Sequence, residues 1–292
     1  MRMRSVHDRA ELAALLRRDP ARHAYQLGDL DDFFWPYTTW YARGDSVALL
    51  YHGVDPPTLL LFDDPAGPAG ELLDDLSSLL PTRLYAHLSP GLDWRLARRY
   101  DLTPGGPHLK MALTEPARLA SALAEGSPLT AADLPELARL YEVSYPANWF
   151  DRRMLETGQY VGVRRDGELV AVAGVHVWSP VYRVAALGNI TTHPAHRGRG
   201  LAGLAVAALC RRLAATVDHV TLNVRADNAA ATAVYRRLGF TTVARYAEFA
   251  AVARAEPSGA GEPAWAGEPA DDATPAEVAP AASGQGLRPT AP

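Results

Sequence analysis

The segment NITTHPAHRGRGLA, residues 189–202, places a basic turn between a predicted strand and a predicted helix. The helix begins near Gly200 and carries leucine and alanine at helical spacing. A helix N-terminus presents unpaired N–H groups and the positive end of the helix dipole, so it favours an anion. Gly198 and Gly200 let the backbone approach a ligand closely, and Arg197 and Arg199 add positive charge. The segment therefore predicts a pyrophosphate site.

Two other interpretations of this turn are open. It could be a plain loop, because Gly–Arg pairs alone are weak evidence. It could also be a fragment of an RNA-binding RGG tract, although such tracts are repeated and disordered, whereas this turn is embedded between a strand and a helix. The turn is not a Walker A loop, since no Gly-Lys-Ser/Thr follows, and it is not a GxGxxG dinucleotide fingerprint.

A second pattern, NVRADNAAATAVYRRLGF, occupies residues 223–240. Asp227 or Asn228 can cap a helix, and Gly239 stands where a helix would end in a left-handed residue. Asn228 and Tyr235 are seven residues apart, or two helical turns, so both are expected on one face. In isolation, this pattern also fits a capped helix with a core tyrosine.

Arg197-x-x-Gly200-x-Ala202 resembles the Arg/Gln-x-x-Gly-x-Gly/Ala motif of the GNAT superfamily of N-acetyltransferases, including its strand–loop–helix setting. The resemblance covers about 127–254. It implies acetyl-CoA as acyl donor, with backbone amides binding the CoA pyrophosphate and the preceding strand pairing with the pantetheine arm. It also implies that Tyr235 is the general acid. The residues then expected to bind the cofactor are Asn189, Ile190, Thr191, Thr192, Arg197, Gly198, Arg199, Gly200, Leu201, Ala202 and Asn228.

The implied chemistry is attack of an amine on a thioester. The departing thiol has a pKa of roughly 8.5–10, close to that of a phenol, so a tyrosine can supply its proton. The amine must lose a proton first, and many family members place a carboxylate on the strand before the phosphate loop. Here that strand, residues 184–189, has none. His176 is the best substitute base; a core histidine is an equal alternative, and a water relayed by Asn189 is a third.

The order of predicted elements indicates two domains, as the length of 292 residues allows. We predict an α/β fold with a mixed central sheet flanked by helices, in two GNAT-like halves. Residues 1–117 would be a degenerate GNAT-like N-terminal domain without the motif, and residues 127–254 the catalytic N-acetyltransferase domain. Residues 255–292, rich in Ala, Pro and Gly and acidic, would be a disordered tail. Tandem halves also occur among glycine N-acyltransferase-like members.

Composition excludes several functional classes. A net charge of −4 argues against a protein that coats nucleic acid. The single cysteine, Cys210, allows no intramolecular disulfide and is expected to be buried, and we predict no metal site. Neither a signal peptide nor a membrane-spanning run is recognisable, so we expect a cytoplasmic protein without a membrane partner.

The sequence thus predicts an acyl-CoA-dependent N-acyltransferase, which transfers acetyl to a small amine or peptide acceptor bound near residues 145–150. One rival is a non-catalytic acyl-CoA-binding or regulatory module, which the missing carboxylate favours and the retained Tyr235 opposes. Another is a nucleotide- or RNA-binding protein that uses the arginine loop. Acceptor identity, acyl length and oligomeric state stay open.

Overall fold

The structure, a computed structural model, describes residues 2–146, 148 and 150–254. The predicted tail of residues 255–292 lies outside the described residues, as do Ala147 and Trp149 of the predicted acceptor loop.

Each half of the chain contains five or more strands and several helices. The first half comprises β1 (Arg4–Ser5), α1 (Arg9–Leu16), α2 (Ala24–Gly28), β2 (Thr38–Arg43), β3 (Ser46–Tyr51), β4 (Thr58–Leu61), α3 (Pro68–Leu76), β5 (Arg83–Leu88), α4 (Asp93–Leu96) and β6 (Tyr100–Leu113). A linker helix, α5 (Pro116–Ser121), follows. The second half comprises β7 (Ser127–Pro128), α6 (Leu134–Ser144), β8 (Val161–Arg165), β9 (Glu168–Ser179), β10 (Val184–Thr192), α7 (Leu201–Leu213), β11 (His219–Arg225), α8 (Ala229–Arg237) and β12 (Phe240–Ala253).

Within the described residues, these strands form one twelve-stranded sheet in the order β1-β2-β3-β4-β5-β12-β6-β11-β10-β9-β8-β7. Among the described strands, only β4 with β5 and β10 with β11 pair in parallel, and a crossover helix, α3 or α7, joins each of these pairs. The halves thus repeat one order of elements. The predicted fold, a mixed sheet flanked by helices, is confirmed.

The long last strand of each half pairs with strands of the other half. β12 lies between β5 and β6, and β6 lies between β12 and β11. The register places Ala247 opposite Leu88, and Leu222 opposite Met111. The two halves therefore share a continuous sheet. The predicted boundaries at 117 and 127 stay a prediction.

Helix α2 of the first half packs directly on the sheet of the second half. A Cβ atom on Gly28 would lie 1.9 Å from Cγ1 of Val177, which leaves room only for glycine. Trp178, the next residue of β9, instead donates from its indole nitrogen to the Thr216 hydroxyl just beyond α7 (3.2 Å). Because successive strand residues face opposite sides of a sheet, α2 and the C-terminal end of α7 lie on opposite faces.

Helix α7 is anchored by its apolar stripe. Leu201, Ala205, Leu209 and Leu213 are all buried, which is the pattern expected of a helix lying on a sheet. Cys210 is buried in the same core, as predicted, and burial raises its pKa to about 12. No helix in the described part of the chain combines the length and the apolar character that crossing a bilayer requires.

Candidate functional site

Strands β10 and β11 separate part-way along their length. Their parallel pairing runs from Val184 opposite His219 to Leu187 opposite Leu222 and then stops. Both strands continue, β10 to Thr192 and β11 to Arg225, and among the described strands each is then paired only with its outer neighbour. The opening leaves one edge of residues 188–192 without a strand partner, so its backbone groups can pair with an extended ligand.

The basic turn lies at the end of this opening. Gly198 has φ +77° and Gly200 has φ +78°, in the left-handed region where residues with a side chain are strained. Gly200 is the N-cap of α7, and nothing lies within 4 Å of where a Cβ atom on either glycine would stand. The turn is therefore open beside both glycines, and the first N–H groups of α7, which have no acceptor within the helix, begin there, as an anion site requires.

The two arginines of the turn behave differently. Arg197 donates to the carbonyl oxygens of Thr192 (3.3 Å) and Ser144 (3.2 Å), so its guanidinium ties the turn to the ends of β10 and α6. Arg199 is exposed and, among the described residues, has no polar partner. Of the two, Arg199 is the one free to approach a bound phosphate. Leu201 is buried at the start of α7, and Ala202 is half-buried, so both can offer only backbone groups to a ligand.

Asn189 is the polar centre of the opening. A β-bulge gives it φ +54°, and its carbonyl oxygen accepts from the Tyr141 hydroxyl (2.9 Å). Its amide nitrogen donates to the Tyr160 hydroxyl (2.9 Å), which donates in turn to the Val175 carbonyl (3.2 Å). Asn189 is therefore held rigidly, and its backbone carbonyl is already used inside the protein. Thr191 is buried, whereas Ile190 and Thr192 are half-buried.

His176 stands beside Asn189. A bulge in β9 turns the imidazole over Gly188, and Nε2 lies 3.2 Å from Asn189 Oδ1. Burial lowers the pKa of His176, and the Asn189 contact only partly offsets this, so the ring is neutral near pH 7. Because the amide oxygen can only accept, Nε2 carries the hydrogen and Nδ1 keeps a free lone pair.

Tyr235 lies in the last turn of α8, and its side chain packs in the core of the second half. Only 7% of the residue is exposed, and its ring contacts Phe240 at 6.1 Å between centroids. The hydroxyl has no hydrogen-bond partner among the described residues. Burial, with a smaller effect of Tyr145, raises the pKa of Tyr235 well above its ordinary value, so the phenol keeps its proton. Asn228 caps α8 by accepting from the Ala231 N–H (3.0 Å).

A family model describes this part of the chain. The model of the Acetyltransferase (GNAT) family matches residues 128–240, which include both strands of the opening, the turn and α8. Residues 128–240 are a GNAT acetyltransferase domain. No curated protein sequence matches the chain.

Solved structures share the whole architecture, beyond the GNAT domain. A Drosophila protein superimposes with a TM-score of 0.64 at 19% identity, over 86% of this chain and 98% of its own. A GCN5-related N-acetyltransferase from Kribbella flavida superimposes with a TM-score of 0.55 at 20% identity. The match covers 82% of this chain and 96% of that protein. A tandem GNAT protein from the clavulanic acid biosynthesis pathway superimposes with a TM-score of 0.52 at 18% identity. The match covers 87% of this chain and 100% of that protein. At these identities the likeness concerns the fold.

Residues 2–113, the described part of the first half, contain no comparable site. Its loop between β4 and α3 carries Asp63 and Asp64 where the GNAT domain has its basic turn. Asp63 accepts from the Val47 N–H (3.1 Å) and lies 3.3 Å from His23 Nε2, so it serves the local structure. β4 and β5 also stay paired beyond their ends, since the Ser89 N–H donates to the Leu61 carbonyl (3.0 Å). No opening forms there.

A surface cavity of about 400 Å³ adjoins the N-terminus of α7 in the GNAT domain. Its walls come from α7, α8 and the linker helix α5, with apolar Leu204 and Val234 and two exposed arginines, Arg118 and Arg237, in the lining. Among the described residues, no group of three or more His, Cys, Asp or Glu side chains is arranged to hold a metal ion.

The predicted acceptor loop is described only in part. Phe150 packs between Tyr141 and Tyr160, with centroid distances of 5.1 and 5.7 Å, so it belongs to the core. Tyr145 is half-buried at the end of α6. Sequence reasoning did not include Arg118 and Arg237 in the site, because a linker helix and a helix end meet there only through tertiary structure.

Proposed function

We propose that the protein is an acyl-CoA-dependent N-acetyltransferase whose cofactor site lies in the GNAT domain. The observation that carries the proposal is the separation of β10 from β11 next to the two left-handed glycines. An unpaired strand edge that leads to a helix N-terminus suits a ligand that is extended at one end and a diphosphate at the other. CoA has this form.

In this proposal, the pantetheine arm pairs with residues 189–192, and the pyrophosphate sits on the N–H groups that follow Gly198. Arg199 approaches the phosphates, whereas Arg197 holds the turn in place. The nucleotide end occupies the cavity beside α7, where Arg118 and Arg237 offer charge to the 3′-phosphate.

His176 is proposed as the base. Its imidazole is neutral near pH 7, because burial lowers its pKa, and Nδ1 has the free lone pair that must accept the amine proton. The fixed Asn189 amide sets the tautomer. His176 is then a positioned base, although a weak one.

Tyr235 is proposed as the acid. Amine attack forms the C–N bond, and the C–S bond breaks to leave a thiolate beside the phenol. Burial raises the pKa of Tyr235 above that of a free thiol, so complete proton transfer is uphill before ligand binds. The phenol therefore acts mainly as a hydrogen-bond donor that stabilises the thiolate as it forms.

Acetyl-CoA binding tests the proposal. Gly200→Glu places a side chain and a negative charge in the anion site, so calorimetric affinity for acetyl-CoA should fall at least tenfold, or about 1.4 kcal/mol. Gly167→Glu is the matched control, because Gly167 also has positive φ (+85°) and open surroundings but lies in the β8–β9 turn. Equal affinities for the two variants would overturn the cofactor site.

Turnover separates an enzyme from a non-catalytic acyl-CoA-binding module. Purified protein is incubated with acetyl-CoA and a panel of amines, and free thiol is measured. We expect acceptor-dependent thiol release by the wild type. Tight acetyl-CoA binding without thiol release with any acceptor would favour the non-catalytic module. The absence of a carboxylate on β10 also favours that alternative.

A further inference from the structure

Glu248 is the centre of a polar cluster at the junction of the halves. Its carboxylate accepts from the Tyr85 hydroxyl (2.6 Å) and the Tyr246 hydroxyl (3.0 Å). Nε2 of His87 and Nε2 of His108 lie 3.7 and 3.6 Å from its Oε1. The cluster comes from β5, β12 and β6, so it exists only because the halves exchange their last strands.

The carboxylate is ionised. Burial alone would raise the pKa of Glu248, but the two imidazoles and the two phenol hydrogen bonds outweigh burial and leave it below the ordinary value. Burial lowers the pKa of His87 to about 4, so that imidazole is neutral near pH 7. His108 turns Nδ1 towards the Gly106 carbonyl (3.2 Å), which can only accept.

Lys110 and Arg225 interact with this charge electrostatically, but neither forms an ion pair with it among the described residues. Within the described part of the chain, no arginine or lysine nitrogen lies within 4.0 Å of the Glu248 carboxylate. Lys110, the nearby lysine, sits over the ring of Phe62 (3.8 Å), and burial lowers its pKa to about 7. Arg225 is engaged by Asp227 (2.8 Å). The ionised carboxylate is therefore held by phenol hydrogen bonds and imidazoles, and its negative charge can attract a cationic ligand.

Tyr25 connects the cluster with the reacting groups. The Tyr25 ring on α2 lies 6.4 Å from the His176 ring and 4.9 Å from Lys110 Nζ, so it bridges the two regions. The charge of Glu248 also influences the pKa values of His176 and Tyr145. The Glu248 side chain is 17% exposed, and Tyr25, Tyr145 and His176 are half-buried, so solvent reaches each of these side chains.

The spacing decides what Glu248 can do. Three strand intervals of about 4.8 Å separate β12 from β10, and β10 and β11 move apart at the opening, so the strand axes there are at least roughly 14 Å apart. Allowing for the reach of the glutamate side chain, the carboxylate lies on the order of 10 Å from the acyl site. This is too far for proton abstraction from the attacking amine. It is a suitable distance for a second group of the same acceptor.

We infer that Glu248 binds a second, cationic group of the acceptor, so that the substrate is an elongated amine with a positive charge roughly 10 Å from the nitrogen that is acetylated. The inference rests on the proposed function. It also gives the first half a role, because β5 supplies Tyr85 and His87 to the surroundings of Glu248 and α2 supplies Tyr25 to those of His176.

The test compares linear α,ω-diamines, with carbon chains of four to twelve, with monoamines of the same length. Calorimetry measures their binding to the CoA-loaded protein. We expect at least one of the longer diamines to bind the wild type tenfold or more tightly than its monoamine. Glu248→Gln keeps the shape but removes the charge, so it should abolish this preference. Glu168→Gln, at an exposed position in β9, is the control and should retain it.

Two outcomes overturn the inference: no diamine binds the wild type better than its monoamine, or Glu248→Gln keeps the full preference. Acetyl-CoA affinity is measured on the same samples. Tight cofactor binding without diamine preference refutes only the role of Glu248, whereas absent cofactor binding refutes the proposed function. Unchanged acetyl-CoA affinity in Glu248→Gln shows that the variant is folded.

Discussion

Replacing Tyr235 with phenylalanine should separate catalysis from folding. The substitution removes one hydroxyl that has no hydrogen-bond partner among the described residues, and it keeps the ring contact with Phe240. Since no internal hydrogen bond is lost, we expect the free energy of unfolding to change by no more than about 0.5 kcal/mol. Affinity for acetyl-CoA should also be nearly unchanged.

The loss should instead appear in kcat. General acid catalysis contributes roughly 10²- to 10⁴-fold. Because burial raises the pKa of Tyr235 above that of the departing thiol, full proton transfer contributes less than hydrogen bonding to the thiolate. We therefore expect the lower end of the range, about a hundredfold, or about 2.7 kcal/mol in the activation free energy.

Tyr100→Phe is the matched control and should give the mirror image. The Tyr100 hydroxyl lies in the core of the first half and donates to the carbonyls of Pro81 (2.9 Å) and Leu80 (3.2 Å), so its removal leaves polar groups there unpaired. That should cost about 1–3 kcal/mol in the free energy of unfolding. Denaturant titration, calorimetry and thiol release on both variants provide the comparison. A destabilised Tyr235→Phe with wild-type kcat on a good acceptor would refute the assignment and make Tyr235 a core residue.

Three further expectations concern other parts of the chain. Arg118→Ala should weaken CoA binding about tenfold but leave dephospho-CoA binding unchanged, since only CoA carries the 3′-phosphate; equal losses would remove Arg118 from the nucleotide site. Burial lowers the pKa of His87 from 6.5 to about 4. Between these two pH values the imidazole is protonated in the unfolded chain but not in the folded one, so the free energy of unfolding decreases as the pH falls from 6.5 to about 4. His87→Gln should remove this loss of at most about 3 kcal/mol, which a denaturation series across pH would measure. Deleting residues 255–292 should leave Tm and turnover nearly unchanged, and a large drop in either would show that the tail contributes native contacts.

Local features of the GNAT domain could be predicted from the sequence. The basic turn, its two glycines and the apolar stripe of α7 are contiguous, so backbone preference and helical period suffice to find them. The same holds for Asn228 as a helix cap. What the sequence left open was the use of each side chain: Arg197 binds backbone carbonyls of its own domain, which its place in the motif does not reveal.

Features that depend on strand order could not be predicted. The sequence suggests a strand only from His108, because Pro104 and the two glycines that follow resemble a turn, yet β6 runs from Tyr100 and pairs with β12 along its length. Likewise, residues 241–253 suggest two short strands, whereas the structure has one bulged strand, β12. The role of Glu248 could therefore not be predicted from the sequence, because its neighbours His87 and His108 are far from it along the chain.

The exchange of β6 and β12 explains why a half without a phosphate loop is structurally indispensable. Without β6, β11 would lose the partner that extends beyond Leu222, and the far wall of the opening would become an unpaired edge. Without α2, the face of β9 and β10 under Gly28 would be exposed to water. Residues 127–254 therefore contain the whole family motif but not a complete sheet, and the two halves must fold as one unit.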